Sequence, residues 1–222
     1  MEGKVILVRH GETEANRQRR FAESEDIPLT DTGRRQSAEI AARLAREFRP
    51  DLLLSSPFLR ARQTSEIIGS ALDLKPEVTS GIHERDFGCL KGRPYEDMGE
   101  MMLADPAYNP RSHWLWKPPA GESLHEVRLR AFSALDALRE GRAREILVVC
   151  HGAVIQAICA QITGEWRESY VPPNCGFAVL EFSAEAWKPN AIAADWIPLN
   201  AENPLQDSAK HFTMEMLLPD KP

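Results

Sequence analysis

Val5-Ile6-Leu7-Val8-Arg9-His10-Gly11-Glu12-Thr13 is the stretch that decides the fold. Four apolar residues in a row, with no polar alternation, describe a strand buried on both faces. Polar residues follow at once, so Arg9 marks the strand's carboxyl end. The same pattern recurs twice. Leu52-Leu53-Leu54 ends in Ser55-Ser56-Pro57, and Ile146-Leu147-Val148-Val149-Cys150 ends in His151-Gly152. Helical periods separate these strands. Thr30 reads as the N-cap of a helix over 30–48, with Ile40, Leu44 and Phe48 four residues apart and Pro50 as its stop. A second helix is expected over 59–72. Ser123-Leu124-His125-Glu126 is a capping box, and the helix it opens carries Leu124, Val127, Ala131, Leu135 and Leu138 on one stripe. A further helix is predicted over 154–162, and further strands over 177–182 and 192–197. Strand alternating with helix implies an α/β, three-layer sandwich, with a mostly parallel central sheet covered by helices on both faces.

The segment 88–121 interrupts this alternation. Pro94, Pro106, Pro110, Pro118 and Pro119 punctuate it, with Tyr108, Trp114 and Trp116 among them, and it has room for one short helix near 96–104. It reads as a lid-like excursion from a single domain over 1–200. Residues 201–222 carry Pro204, Pro219 and Pro222 and read as a loose C-terminal tail. A chain of 222 residues is long enough to bury a sizeable core. Its apolar runs are too short for a membrane span, and its first residues lack the apolar region of a signal peptide. A net charge of −6 argues against nucleic acid as a partner. Cys89, Cys150, Cys159 and Cys175 form no CxxC pair, and no His or Cys spacing suits a metal. A reducing, cytoplasmic setting is expected, with no metal and no cofactor. The sequence carries no sign of its oligomeric state.

Ligands of parallel sheets bind at the carboxyl ends of the strands. Three strands deliver chemistry there. His10, fixed by the sheet, is placed as a nucleophile must be. Arg9 can hold an oxyanion with two parallel N–H groups, and Gly11 allows close backbone approach. His151-Gly152 repeats the layout ahead of a helix whose first amides would face an anion. Arg60, just beyond the Ser-Ser-Pro turn, supplies a second fork. Two arginines and two histidines converging in an acidic protein form a local positive well suited to a phosphoryl group.

Val8-Arg9-His10-Gly11-Glu12-Thr13-Glu14-Ala15-Asn16 resembles the signature of the histidine phosphatase superfamily, the family of cofactor-dependent phosphoglycerate mutases and related phosphatases. Pro28-Leu29-Thr30 with Gly33, Ser55-Ser56-Pro57 before Arg60, Glu84-Arg85-Asp86-Phe87-Gly88, Gly121-Glu122-Ser123 and Val149-Cys150-His151-Gly152 follow in the family's order. The resemblance implies that His10 attacks phosphorus and becomes phosphorylated. Arg9, Arg60, His151 and Gly152 would hold the phosphoryl oxygens, with Thr13 and Asn16 as further pocket contacts. Glu84 matches the general acid that protonates the leaving oxygen and then activates water. The partner implied is a small phosphorylated metabolite.

Two departures bear on the substrate. Where relatives carry Gln-Gly or Thr-Gly, this chain has Phe21-Ala22-Glu23-Ser24-Glu25, whose acids would oppose a substrate with a second phosphate or several carboxylates. The mutases grip phosphoglycerate with a lysine and an adjacent arginine pair; here Lys91, Arg93, Arg111 and Lys117 stand apart. The reading that follows is a metal-independent phosphomonoesterase. A phosphoglycerate-type phosphomutase ranks second, and a non-catalytic binding module on the same fold third.

Overall fold

A computed structural model describes residues 2–141, 143–183, 185–188 and 193–195. Strand β1 (Gly3–Arg9) leads through a one-turn helix α1 (Glu14–Arg17) to α2 (Asp31–Glu47), β2 (Leu52–Ser55), α3 (Leu59–Leu72) and β3 (Glu77–Val78). Helix α4 (Glu96–Ala104) lies in the excursion; α5 (Leu124–Asp136), β4 (Glu145–Cys150), α6 (Gly152–Thr163), β5 (Phe177–Phe182) and β6 (Ala193–Asp195) follow. The helix expected over 30–48 is α2, and its Thr30 hydroxyl accepts the Gly33 amide as an N-cap should. Ser123 and Glu126 close the expected capping box at α5. The strand expected over 192–197 is seen as β6, and its flanks, like the tail over 201–222, lie outside the described residues. No helix among the described residues is long and apolar enough to cross a membrane.

The six strands run in the order β3-β2-β4-β1-β5-β6. The first four are mutually parallel, whereas β5 runs antiparallel to β1 and β6 antiparallel to β5. The departure from a parallel sheet has a local cause. After α6 the chain climbs back to the carboxyl edge of β1, where the Cys175 amide meets the carbonyls of Arg9 and His10. A strand that starts at that edge can only run back down.

Alternation along β1 divides the core. Val5 and Leu7 pack with Val127, Ala131, Val154 and Ile158 of α5 and α6 on one face. Ile6 and Val8 pack with Ile40, Leu44, Ala61 and Ile68 of α2 and α3 on the other. All four β1 residues are fully buried, as their unbroken apolar run requires. The loop after β1 is clamped onto α2: a Cβ on Gly33 would sit 2.1 Å from the Glu12 carbonyl oxygen, so only glycine fits.

The excursion builds a satellite core of its own from Leu90, Met102 and Trp116 with Phe21. Trp116 is 9% exposed and its indole N–H donates to Asp105 Oδ2 at 3.0 Å. Trp114 stacks in parallel on Trp166 beyond α6, ring centroids 5.7 Å apart. Two elements escaped the sequence reading. Helix α1 has no apolar period and stands on a capping box between Thr13 and Asn16. Strand β3 is two exposed residues at the sheet edge.

Candidate active site

Strand register brings the two histidines together. Arg9 of β1 is paired with Cys150 of β4, so His10 and His151 stand side by side one residue further on. Their ring centroids are 5.2 Å apart. Strand β2 adds Ser56 to the same edge, its amide donating to the Val149 carbonyl.

His10 is 3% exposed. Its Nδ1 lies 2.7 Å from the Gly11 carbonyl oxygen, which can only accept, so the hydrogen-bond network assigns the ring proton to Nδ1. The Nε2 lone pair is therefore the free nucleophilic position. Arg60 Nε donates to it at 3.3 Å, which is compatible only with an unprotonated nitrogen. Burial, then the charges of Arg60 and Arg9, push the His10 pKa well below its ordinary value. The ring is neutral at physiological pH, as an attacking imidazole must be.

His151 is fully buried, and its Nε2 lies 2.7 Å from Ser56 Oγ. That hydroxyl already accepts the Phe58 amide at 3.4 Å, so its proton is free to go to Nε2. With Ser56 as the donor, the assigned tautomer carries its proton on Nδ1, and Nδ1 is a buried atom with no protein partner. Arg9 Nε is a second such atom, while Arg9 Nη1 donates to the Pro172 carbonyl at 2.6 Å. Two unpartnered buried donors beside a neutral nucleophile call for an acceptor, and an oxyanion supplies it. Gly152 lies against this pair: a Cβ there would be 3.7 Å from Arg9 Nε and Cζ. It also opens α6, whose first N–H groups add positive potential at that end. Burial, then Arg60, hold the His151 pKa well below its usual range.

Arg60 is 2% exposed, with its guanidinium 5.0 Å from the Phe58 ring centroid. Burial lowers its pKa, and the negative charge of Glu84 opposes that shift. Thr64, one turn on, accepts the Gly11 amide at 3.0 Å and donates to the Arg60 carbonyl at 2.8 Å, tying α3 to the β1 loop.

Thr13 and Asn16 form a unit. The Asn16 Oδ1 accepts from the Thr13 amide, the Thr13 hydroxyl and Asn174 Nδ2. Its Nδ2 donates to Tyr95 Oη at 3.3 Å. The Thr13 hydroxyl is thus occupied with orienting Asn16, whose side-chain amide has a second N–H besides the one given to Tyr95. Asn174 Nδ2 also donates to the His10 carbonyl at 3.0 Å, fixing the nucleophile's backbone.

Glu84 is half-buried, and its Oε1 accepts the Arg85 amide at 2.9 Å. Arg130 of α5 fixes its backbone. The guanidinium makes five hydrogen bonds, to the carbonyls of Gly81, His83 and Glu84 and to both oxygens of Glu122. The expected set of Arg9, His10, Arg60 and His151 thus meets at one sheet edge, with Glu84 in electrostatic reach of Arg60. Ser56, Asn174, Arg130 and Tyr95 were not singled out by role. Ser56 alone left a signal, as a polar residue at the carboxyl end of a buried strand. Two strand-end imidazoles, two buried guanidinia and a nearby carboxylate can hold a tetrahedral oxyanion, attack it and move a proton.

Comparison with known proteins shows the family. The family model of the histidine phosphatase superfamily (branch 1) matches residues 5–195. The phosphatase PhoE of Bacillus subtilis, itself described as uncharacterized, is 32% identical over 188 residues, covering 83% of this chain and 91% of that protein. A protein named "Probable phosphoglycerate mutase GpmB" from Escherichia coli is 29% identical, covering 87% of this chain and 90% of its own. A mycobacterial glucosyl-3-phosphoglycerate phosphatase solved with VO3 shares the fold at a TM-score of 0.72 and 23% identity, covering 87% of this chain and 97% of that one. The chain belongs to the histidine phosphatase superfamily.

Proposed function

We propose that this protein is a phosphomonoesterase that hydrolyses a small organic phosphate through a phosphohistidine on His10. One observation carries the reading: the neutral His10 Nε2 lone pair stands beside two buried, unpartnered donors, Arg9 Nε and His151 Nδ1. In the first half-reaction, the Nε2 lone pair attacks phosphorus and the ester P–O bond breaks. Glu84 gives its proton to the departing alkoxide, so the alcohol leaves neutral. Arg60 turns from Nε2 to a phosphoryl oxygen, and Arg9, His151 and the Gly152 end of α6 hold the others. Asn16, oriented by Thr13, adds an amide N–H. In the second half-reaction, Glu84 takes a proton from water, the hydroxide attacks phosphorus and the N–P bond breaks. Inorganic phosphate leaves and His10 returns to its neutral state.

The reading is metal-independent. The two buried guanidinium groups repel a cation, and together with imidazole and amide N–H groups they do for the phosphoryl oxygens what a cation otherwise does. Segment 88–121 is proposed as the lid over this edge within a single domain, and the setting as cytoplasmic. The test is phosphate release from an aryl phosphate by the pure protein in the presence of a chelator. Turnover that the chelator leaves unchanged is expected; turnover that needs added metal overturns the reading. The name of the Escherichia coli relative favours phosphomutase activity as a second reading. Incubation with phosphoglycerate and its bisphosphate separates the two, because a mutase interconverts isomers faster than phosphate appears.

A further inference from the structure

The stretches of chain at the phosphoryl edge include the excursion 88–121 and the segment 21–26, beside the turn that carries Pro172 and Asn174. Their charges decide what else a substrate can carry. The excursion holds four cations, Lys91, Arg93, Arg111 and Lys117, and four carboxylates. Three of those cations are engaged: Lys91 with Asp86 at 2.8 Å, Arg93 with Asp97 at 2.7 Å, Lys117 with Glu126 at 2.9 Å. Arg85, buried beneath the excursion, gives its N–H groups to the carbonyls of Glu122 and Trp116.

The segment 21–26 contains Glu23, Glu25 and Asp26 and no cation. It is docked on the start of α3. The Leu59 amide donates to the Glu25 carbonyl at 3.0 Å, and Arg60 Nη1 reaches the Ser24 carbonyl at 3.5 Å. Glu25 is exposed, and its negative charge is felt by the Arg60 guanidinium.

We infer that the alcohol half of the substrate carries no second anionic group, and that Glu25, docked beside Arg60, enforces this by charge. The inference rests on the phosphatase reading above and names its substrate class: the phosphomonoester of an uncharged phenol or polyol. The phosphoryl dianion is matched by Arg9, Arg60 and the His151 Nδ1–H. Beyond them, a second phosphate or a carboxylate meets three cations already engaged, with Arg111 the fourth, and a segment that holds three carboxylates and no cation of its own. Surface ion pairs are weak and can open. Opening one to bind an anion frees its carboxylate, so the local field keeps its sign. What the cover offers instead is neutral. The Tyr95 hydroxyl is held by Asn16, and the half-buried rings of Tyr95 and Phe87 pack on the buried Phe21, with centroids 4.9 and 4.3 Å from it. Rings and a hydroxyl suit an apolar or hydroxylated group. Rejection of the alternative is a repulsive element, which is how specificity between similar ligands is commonly achieved.

The experiment compares kcat/KM for two ester pairs at low ionic strength: 4-(hydroxymethyl)phenyl against 4-carboxyphenyl phosphate, and glycerol 3-phosphate against 3-phosphoglycerate. Within each pair, the uncharged ester should be favoured by roughly tenfold or more, the size of one nearby like-charge contact. The ratio should shrink as salt is raised, because exposed charges are screened over about 10 Å at 0.1 M. Glu25→Gln should shrink it at constant salt, and Glu25→Lys should shrink it further, with turnover of the uncharged ester retained. Equal or better use of the carboxylated esters, or a ratio that ignores both salt and Glu25, overturns the inference and leaves the phosphatase reading standing. No hydrolysis of any of the four esters overturns both.

Discussion

Replacing Ser56 by alanine tests whether the second histidine is oriented by a hydroxyl. His151 Nε2 and Ser56 Oγ are 2.7 Å apart, and both residues are fully buried. Water is therefore a poor substitute for the missing group. Without the Ser56 proton, Nε2 no longer has a donor, and the alternative tautomer, with its proton on Nε2, becomes accessible. That tautomer turns a lone pair at Nδ1 toward the phosphoryl oxygen, so one donor becomes one repulsion. A buried hydrogen-bonding group left unmatched costs about 1–3 kcal/mol. Applied to the transition state, that is a loss of roughly 5- to 150-fold in kcat/KM on an aryl phosphate. Affinity for inorganic phosphate should fall in the same direction. Nitrogen-15 spectra of labelled histidine give an independent readout: a single Nδ1-protonated form of His151 in the wild type, a mixture in the variant. Catalytic efficiency within twofold of wild type, with an unchanged spectrum, refutes the tautomer argument.

Three other expectations follow from the same geometry. Glu84→Gln should slow hydrolysis of alkyl phosphates far more than phosphoenzyme formation from an aryl phosphate, since only the poorer leaving group needs the proton; an equal loss for both would make Glu84 a positioning group. Trp116→Ala should lower the melting temperature by several degrees, because it empties a buried site and removes the indole hydrogen bond to Asp105, at a cost of about 3–5 kcal/mol if the cluster does not collapse. Trp114→Ala, which removes only a stacked ring, should change melting much less, and the reverse order would contradict the packing described. Stability should fall as pH drops through about 6.5, since His10 and His151 resist protonation when folded but accept it when unfolded. The unfolded state then binds more protons, and each histidine contributes a slope of about 1.4 kcal/mol per pH unit until its folded pKa is reached. Denaturant titrations of wild type and His151→Gln should show a shallower acid loss in the variant; identical slopes would mean that His151 is protonated in the folded protein.

The parts of this molecule that were legible in its sequence share one property: each rests on a local pattern. The unbroken apolar runs of β1 and β4 gave the sheet its centre, and Thr30 and Ser123 marked helix starts through their own hydroxyls. Arg9, His10 and His151 could be placed because each lies within a residue or two of a buried strand end. What stayed hidden depends on contacts between distant segments. Arg130 belongs to the flank of an amphipathic helix, and nothing near it in sequence reports that it holds three carbonyls of 81–84. Asn174 sits in a turn whose approach to His10 follows from β5 running antiparallel. Ser56 was visible as a polar residue at a strand end, but its role needed the β2–β4 register to set it beside His151. The two tryptophans of the excursion could not be told apart by type. Their environments separate them, one sealed into a cluster with its indole N–H bonded, the other stacked on Trp166.

The central claim is covalent chemistry at His10, and it is tested most directly by trapping the intermediate. Mixing the protein with a good aryl phosphate and quenching in alkali within the first turnover should leave the mass of one phosphoryl group on the peptide that contains His10. The adduct should be alkali-stable and acid-labile, as a phosphohistidine is, and absent from His10→Ala, which should also lose turnover by several orders of magnitude. A burst of aryl alcohol equal to the protein concentration should accompany it whenever the second half-reaction is the slower one. Phosphate label on another residue, or a His10→Ala protein that keeps a tenth of the wild-type rate, would contradict the account.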